Sequence, residues 1–274
     1  MTLSLAWIRK VNTVEELVIA SDSRLRFGCA WDCSPKIFPL SRGDCAICFA
    51  GNTQYAYPIM EQIRNAIVMY PKAESRALDL CDLKGHILRV VRNMESQIHD
   101  LPRGQKEKDA PDAYFIFAGY SWAKSEFKIW ILYYNAARKQ FEFQRTSKLH
   151  GNRVAIIGDD VKDAKSEVLK LARTRDIPKG NGFNMEPFEV LRDFCRDKNR
   201  HQIGGAPQVL KIYKHMNAMP YAVYWPTRES KGRSLMGRPL LEYEMANYLM
   251  LDPDTLKTED YIPTLKPEKM PADI

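Results

Sequence analysis

The 274-residue chain carries a formal net charge of +7, with 45% hydrophobic and 27% charged residues. Those proportions suit a soluble globular protein with one large domain, or one domain and an appendage. No apolar run reaches 18 residues, so the sequence offers no helical membrane span. The basic residues are interleaved with acidic ones, and even the densest cluster, 192–200, contains Asp193 and Asp197. With no nucleic-acid-binding motif beside that charge, a nucleic-acid partner is not expected.

Residues 1–10 lack the basic segment ahead of an apolar stretch that a secretory signal requires. Reduced thiols and a cytoplasmic address follow as the expectation. Four of the six cysteines, Cys29, Cys33, Cys45 and Cys48, fall within twenty residues in the pattern C-x3-C, then C-x2-C. That pattern invites a zinc site. However, Cys45 and Cys48 sit in a stretch that reads as a buried strand, where residues three apart point to opposite faces. No metal site is expected, and the cysteines read as small core residues.

In chain order, residues 3–9 and 15–21 read as two strands close enough to form a hairpin. A turn-rich stretch through Gly28 and Pro35 follows, and then a second strand pair at 36–40 and 44–50. The period changes at residue 52: Tyr55, Ile59, Ile63 and Ile67 recur every fourth position, which predicts a helix over 52–70 capped by Asn52 or Thr53. A second helix is expected over 74–99, with Leu78, Ile87, Val90, Val91, Met94 and Ile98 on one stripe. Residues 101–111, polar and punctuated by Pro and Gly, read as a loop. Strands are expected at 113–120, 127–134, 140–145 and 153–157, helices at 161–173 and 187–196, and strands at 208–213 and 221–225. After Pro226 the chain is rich in proline and charge. The expected division is a domain over 1–226 and an irregular arm over 227–274. Hairpins with helices inserted in pairs favour an α+β fold of two antiparallel sheets covered by helix layers.

Four features of this pattern carry chemistry. Thr2 opens the first strand, Asp22 follows the second in Ser21-Asp22-Ser23-Arg24, Lys36 opens the third, and Gly51 ends the fourth. A threonine hydroxyl needs a base before it becomes a nucleophile. Removal of Met1 would give Thr2 a free α-amine, and such amines titrate near 7.7–8.0. An ammonium such as Lys36 would favour the neutral amine, and a carboxylate such as Asp22 would hold Lys36 in place. The N–H of Gly51, at a strand-to-helix junction, is an oxyanion donor candidate. No histidine lies in a serine- or cysteine-hydrolase motif, and Gly180-Asn181-Gly182 is a turn rather than a phosphate loop.

The segment 19–24 with Gly28, then Lys36, then Phe49-Ala50-Gly51-Asn52, resembles the proteasome β-subunit family. It is also similar to the bacterial proteasome-like protease and to the ancestral β-subunit peptidase. The resemblance covers roughly residues 2–225. It implies a four-layer αββα sandwich of the N-terminal-nucleophile hydrolase type and a threonine-type amide hydrolase. Thr2 would be nucleophile and base, with Asp22 and Lys36 as its tuning pair and Gly51 as oxyanion donor. Phe49 would line the main specificity pocket, with Ser34 and Asn52 as further substrate contacts. Substrates would be peptides or unfolded chains, the assembly a homo-oligomeric ring or helical stack with a possible ATPase partner, and no cofactor is implied.

Two departures stand out. The family carries serine after the glycine near its third helix, whereas Gly158 is followed by Asp159 and Asp160. The later Asp…Ser-Gly-Gly motif survives only as Ile203-Gly204-Gly205, with Asp197 as a displaced candidate for its aspartate. A rival reading is a non-catalytic structural or binding subunit of the same fold that keeps Met1.

Overall fold

The structure, a computed structural model, describes residues 2–99, 103–105, 109–244 and 247–260. The chain begins with a hairpin of β1 (Leu3–Val11) and β2 (Val14–Ser21). Its two-residue turn places Asn12 at φ 54°, a left-handed conformation that asparagine tolerates and that matches the twist of the strands. A small hairpin, β3 (Leu25–Arg26) and β4 (Ala30–Trp31), precedes β5 (Ile37–Pro39) and β6 (Cys45–Gly51). Helices α1 (Thr53–Val68), α2 (Pro71–Glu74) and α3 (Leu80–Ser96) follow. Strands β7 (Ala113–Ser121), β8 (Glu126–Asn135), β9 (Gln140–Arg145), β10 (Lys148–Leu149) and β11 (Asn152–Gly158) lead to helices α4 (Val161–Thr174) and α5 (Glu186–Arg196). The described chain ends with β12 (Gln208–Tyr213), β13 (Ala218–Tyr224), β14 (Arg233–Leu235), β15 (Arg238–Pro239), β16 (Met250–Leu251) and β17 (Thr258–Glu259).

The fold is mixed α+β and built on antiparallel pairing. One sheet runs β10-β11-β1-β2-β12-β13-β14-β15, with β16 joined in parallel to β13 and β17 antiparallel to β16. A second has the order β5-β6-β7-β8-β9. The central strands β1, β2, β6 and β7 are buried on two faces, so their alternate side chains enter different clusters. Leu3, Leu5 and Trp7 of β1 pack with Val168 of α4 and Phe188 and Leu191 of α5. Ala6 of β1 and Leu17 and Ile19 of β2 pack with Cys48, Ile116 and Ile131 of the other sheet. Cys45, Ile47 and Phe49 of β6 pack with Ile59 and Ile63 of α1 and Ile87 and Val91 of α3. Cys45 and Cys48 thus occupy opposite faces of β6. Burial pushes the Cys48 thiol up to about 12, the behaviour of a small core group.

The expected strands and helices form, with ends shifted by a few residues. Lys36 lies just ahead of its strand rather than inside it. The helix expected over 74–99 is α3 alone, beginning at Leu80, and the short α2 ends at Glu74 ahead of it. Pro71 opens the short α2, and Asp79 caps α3 by accepting from the Cys81 N–H at 2.9 Å. The turn-rich stretch contains the β3–β4 hairpin. The expected arm carries short strands, because β14 and β16 hydrogen-bond to β13. The loop expected over 101–111, the fate of Met1 and the tail from 261 onward fall wholly or partly outside the described residues. Among the described residues no helix is long and apolar enough to cross a membrane.

Candidate active site

Thr2 lies at the edge where β1 meets the end of β11. The register pairs Leu3 with Gly158, so Thr2 stands beside the residue after that glycine. The Thr2 N–H donates to Asp159 Oδ2 at 2.6 Å, and the Asp159 N–H donates back to the Thr2 carbonyl at 2.7 Å. Gly158 makes this approach possible. It sits at φ +108°, and a Cβ there would stand 1.8 Å from the Thr2 carbonyl oxygen. The same Cβ would stand 3.2 Å from Ala50 Cβ, which places the end of β6 next to Thr2. Thr2 is fully buried and Asp159 is half-buried.

The charged pair is built one step inward. Asp22 follows β2, and both Asp22 and Lys36 are fully buried. Lys36 Nζ donates to Asp22 Oδ1 at 2.8 Å and to the Arg24 carbonyl at 2.6 Å. The other donors on the Asp22 carboxylate are backbone N–H groups: Leu3 at 3.0 Å, Arg24 at 3.1 Å and Gly204 at 3.3 Å. The residue after Thr2 is therefore tied directly to the carboxylate that holds Lys36. Burial pulls the Lys36 ammonium below the ordinary lysine value, and the charge and hydrogen bond of Asp22 oppose that pull, with a smaller contribution from Asp159. Cys195 of α5 lies near enough to feel the same charges. The residue is only half-buried, but desolvation of its sulfur, reinforced by Asp22, keeps the thiol protonated. It does not compete as a nucleophile.

Gly51 closes β6 at φ +105°, where a Cβ would stand 2.3 Å from the Asp112 carbonyl oxygen. It follows directly on Ala50, the residue that adjoins Gly158. Asn52 caps α1, accepting from the Gln54 N–H at 2.9 Å. The Phe49 ring faces away, into the helix-covered cluster, 5.1 Å from the Tyr57 ring. Its carbonyl points back toward β1 and accepts from Ser4 Oγ at 3.0 Å. Ser34 is buried and takes a backbone bond to the Ser23 carbonyl at 3.0 Å.

The structure thus gathers Thr2, Asp22, Lys36 and the Ala50–Gly51 turn. It adds Ile203-Gly204-Gly205, because Gly204 bonds both Asp22 and Ser23. Asp197 stands apart at the end of α5. It accepts from Asn199 and pairs with Arg200 at 3.5 Å, and Arg200 in turn reaches Asp160.

Two residues of the site were not assigned roles from the sequence. In the sequence Asp159 stands out only as the residue in place of a serine. Its one available signal is an acidic residue after a glycine at a strand–helix junction. Gln208, at the start of β12, carried no signal at all. Among the described residues no group of three or more His, Cys, Asp or Glu side chains is placed to hold a metal. No protein-family model and no curated protein matches the chain.

Proposed function

We propose that this protein is a threonine-type amide hydrolase of the N-terminal-nucleophile kind, acting on peptides or unfolded chains from Thr2 after removal of Met1. The observation that carries the reading is the link from Thr2 to the buried pair. The residue next to Thr2, Leu3, donates its N–H to the Asp22 carboxylate that holds Lys36. Three packed clusters, two with helices and one formed by strands of both sheets, support the four-layer αββα sandwich that the resemblance implies.

In this mechanism the neutral α-amine of Thr2 takes the proton of its own hydroxyl, and Oγ attacks the substrate carbonyl carbon. The oxyanion is stabilised by the Gly51 N–H. The protonated amine then delivers its proton to the departing amine as the C–N bond breaks, leaving an ester on Thr2. Water, deprotonated by the same amine, attacks the ester and regenerates the hydroxyl. The Lys36 charge lowers the energy of negative charge at Oγ. Asp159 opposes the base step, because a carboxylate 2.6 Å from the nitrogen favours its ammonium form. A homo-oligomeric ring or stack in the cytoplasm, with or without an ATPase, belongs to this reading.

Intact mass of the purified protein comes first: loss of one methionine would expose the amine. Thr2→Ala should then abolish turnover of any accepted peptide, and unchanged turnover would overturn the mechanism. The complete burial of Thr2 favours the second reading, a non-catalytic subunit. Retention of Met1, together with no acylation by a β-lactone probe, would establish it.

A further inference from the structure

Gln208 is a buried, uncharged side chain at the first position of β12, paired with Ser21 in the large sheet. Its amide oxygen accepts from the Lys36 N–H at 2.9 Å and the Ile37 N–H at 3.3 Å. Its amide nitrogen donates to the Asp22 carbonyl at 3.0 Å and the Ser34 carbonyl at 2.9 Å. A primary amide has two donors and one oxygen with two lone pairs, so every capacity of this side chain is used. The orientation is set by the network as well. A flipped amide would turn its NH2 toward two N–H groups and its oxygen toward two carbonyls.

The two bonds accepted by the amide oxygen reach from one sheet to the other. Gln208 and Asp22 belong to the large sheet and its edge, whereas Ile37 opens β5 of the other sheet, with Lys36 just before it. The amide therefore fastens the backbone of Lys36 to the backbone of Asp22, independently of the ion pair between their side chains. A buried pair is stabilising only when its geometry is held, because desolvation otherwise outweighs the attraction. The tip of the β14–β15 hairpin closes over the same amide: a Cβ on Gly237 would stand 3.1 Å from Gln208 Nε2 and 2.5 Å from Ser23 Cβ.

We propose that Gln208 is the positioning residue that holds Lys36 against Asp22 in the candidate centre. Its catalytic consequence rests on the threonine-hydrolase reading; its geometric consequence does not. Gln208→Met keeps the length of the side chain and removes all four bonds. With Asp22 less well held, burial dominates at Lys36, whose ammonium must then titrate at lower pH than in the parent protein.

The test uses the full-length protein labelled with 13C at lysine Cε, and follows the Lys36 resonance through an alkaline pH titration. The expected result is a downward move of the Lys36 midpoint in Gln208→Met, with the other lysines unmoved. A β-lactone probe supplies the second readout. The maximal rate of Thr2 acylation should fall about tenfold or more, as misplacement of a catalytic group does, with the half-saturating probe concentration changed less than about twofold.

An unmoved Lys36 midpoint in folded Gln208→Met overturns the proposal. If the parent protein is not acylated, the functional reading fails and the Lys36 midpoint alone decides the positioning role. If Gln208→Met does not fold, Gln208→Asn replaces it. That variant adds no charge and leaves the amide one methylene short of its four partners, and the same Lys36 shift is required of it.

Discussion

Asp22→Asn tests the centre most directly, because the substitution changes almost no volume. The carboxylate holds two donors on each oxygen: Leu3 N–H and Lys36 Nζ on Oδ1, Arg24 N–H and Gly204 N–H on Oδ2. An asparagine has one acceptor oxygen, so in either orientation its NH2 faces two buried donors. In the better orientation the amide oxygen keeps Leu3 and Lys36, and Arg24 and Gly204 lose their partner. A buried donor left unmade costs about 1–3 kcal/mol. Lys36 also loses the carboxylate it pairs with, and breaking a buried pair costs about 3–5 kcal/mol. These costs overlap, so the expected loss is about 4 kcal/mol rather than their sum. With a urea dependence of roughly 3 kcal/mol/M for a chain of this size, the unfolding midpoint should fall by about 1 M at unchanged slope. A second arm isolates the charge. In a Lys36→Met background the same Asp22→Asn change should cost at least about 1.5 kcal/mol less, since no ammonium is then stranded. A midpoint shift below about 0.3 M, or equal costs in the two backgrounds, would refute the assignment of Asp22 and Lys36 as one buried unit.

Asp159→Asn removes the carboxylate beside the Thr2 nitrogen and so favours the neutral amine. In the processed protein the rising limb of kcat/KM against pH should move to lower pH by on the order of one unit; a limb that stays in place would remove Asp159 from the base step. Two glycine substitutions should act with opposite signs. Gly158→Ala forces a Cβ to 1.8 Å from the Thr2 carbonyl at positive φ, and should lower Tm by about 5 °C or more. Gly85→Ala, inside α3 with nothing within 4 Å of the new Cβ, should stabilise by about 0.5–1 kcal/mol. At the tail, Arg238 and the Leu241 N–H hold the Glu244 carboxyl down to about 2, against an ordinary 4.5. A depressed folded value means that the contribution is fully present above pH 4.5 and disappears as pH falls toward 2. Protection factors over 233–244, corrected for the intrinsic pH dependence of amide exchange, should therefore fall in that window, and Glu244→Gln should remove the fall.

The elements were legible in the sequence because each obeyed one local rule. The fourfold recurrence of Tyr55, Ile59, Ile63 and Ile67 needs no knowledge of the rest of the chain, and the buried runs at 15–21 and 44–50 read as strands for the same reason. Asp22, Lys36 and Gly51 could be proposed together because they lie within thirty residues of one another, at successive strand ends. What the sequence could not convey was register between distant segments. Asp159 reaches Thr2 only because β11 pairs with β1 across more than 150 residues with Leu3 opposite Gly158. No local pattern distinguishes that alignment from one shifted by two. Gln208 was invisible for a related reason. A glutamine at a strand start is usually solvated, and its meaning here arises from two carbonyls and two N–H groups contributed by segments 171 to 186 residues away. Asp197 failed to join the site for the converse reason: its position in the chain is near the Gly204 loop, but the end of α5 turns it toward Arg200.

The molecule contains a second ion pair that is buried to the same degree, and the contrast between the two argues for the role of the first. Arg42 and Asp44 form a bidentate pair at 2.7 and 2.8 Å, and the same guanidinium bonds the Ala73 and Leu78 carbonyls. That pair ties the β5–β6 turn to the α2 region with every bond directed at fixed acceptors. Arginine suits such a task, since its planar fork matches the acceptors and its charge is permanent. Although burial works against its charge, Asp44 and neighbouring groups hold the Arg42 value above the ordinary one. Lys36 faces the same low dielectric, and there burial wins, leaving its ammonium easier to neutralise than an ordinary lysine. A structural tie gains nothing from a charge that can be lost. A centre that must tune the protonation of an adjacent amine and hydroxyl gains from a compact charge that responds to its surroundings. Arginine at one buried pair and lysine at the other is the distribution expected if the Arg42–Asp44 pair is scaffolding and the Asp22–Lys36 pair is chemistry. On that argument Lys36→Arg should fold, with Asp22 paired by the longer fork, and still lose acylation of Thr2. Full acylation in a folded Lys36→Arg protein would return the Asp22–Lys36 pair to a structural role.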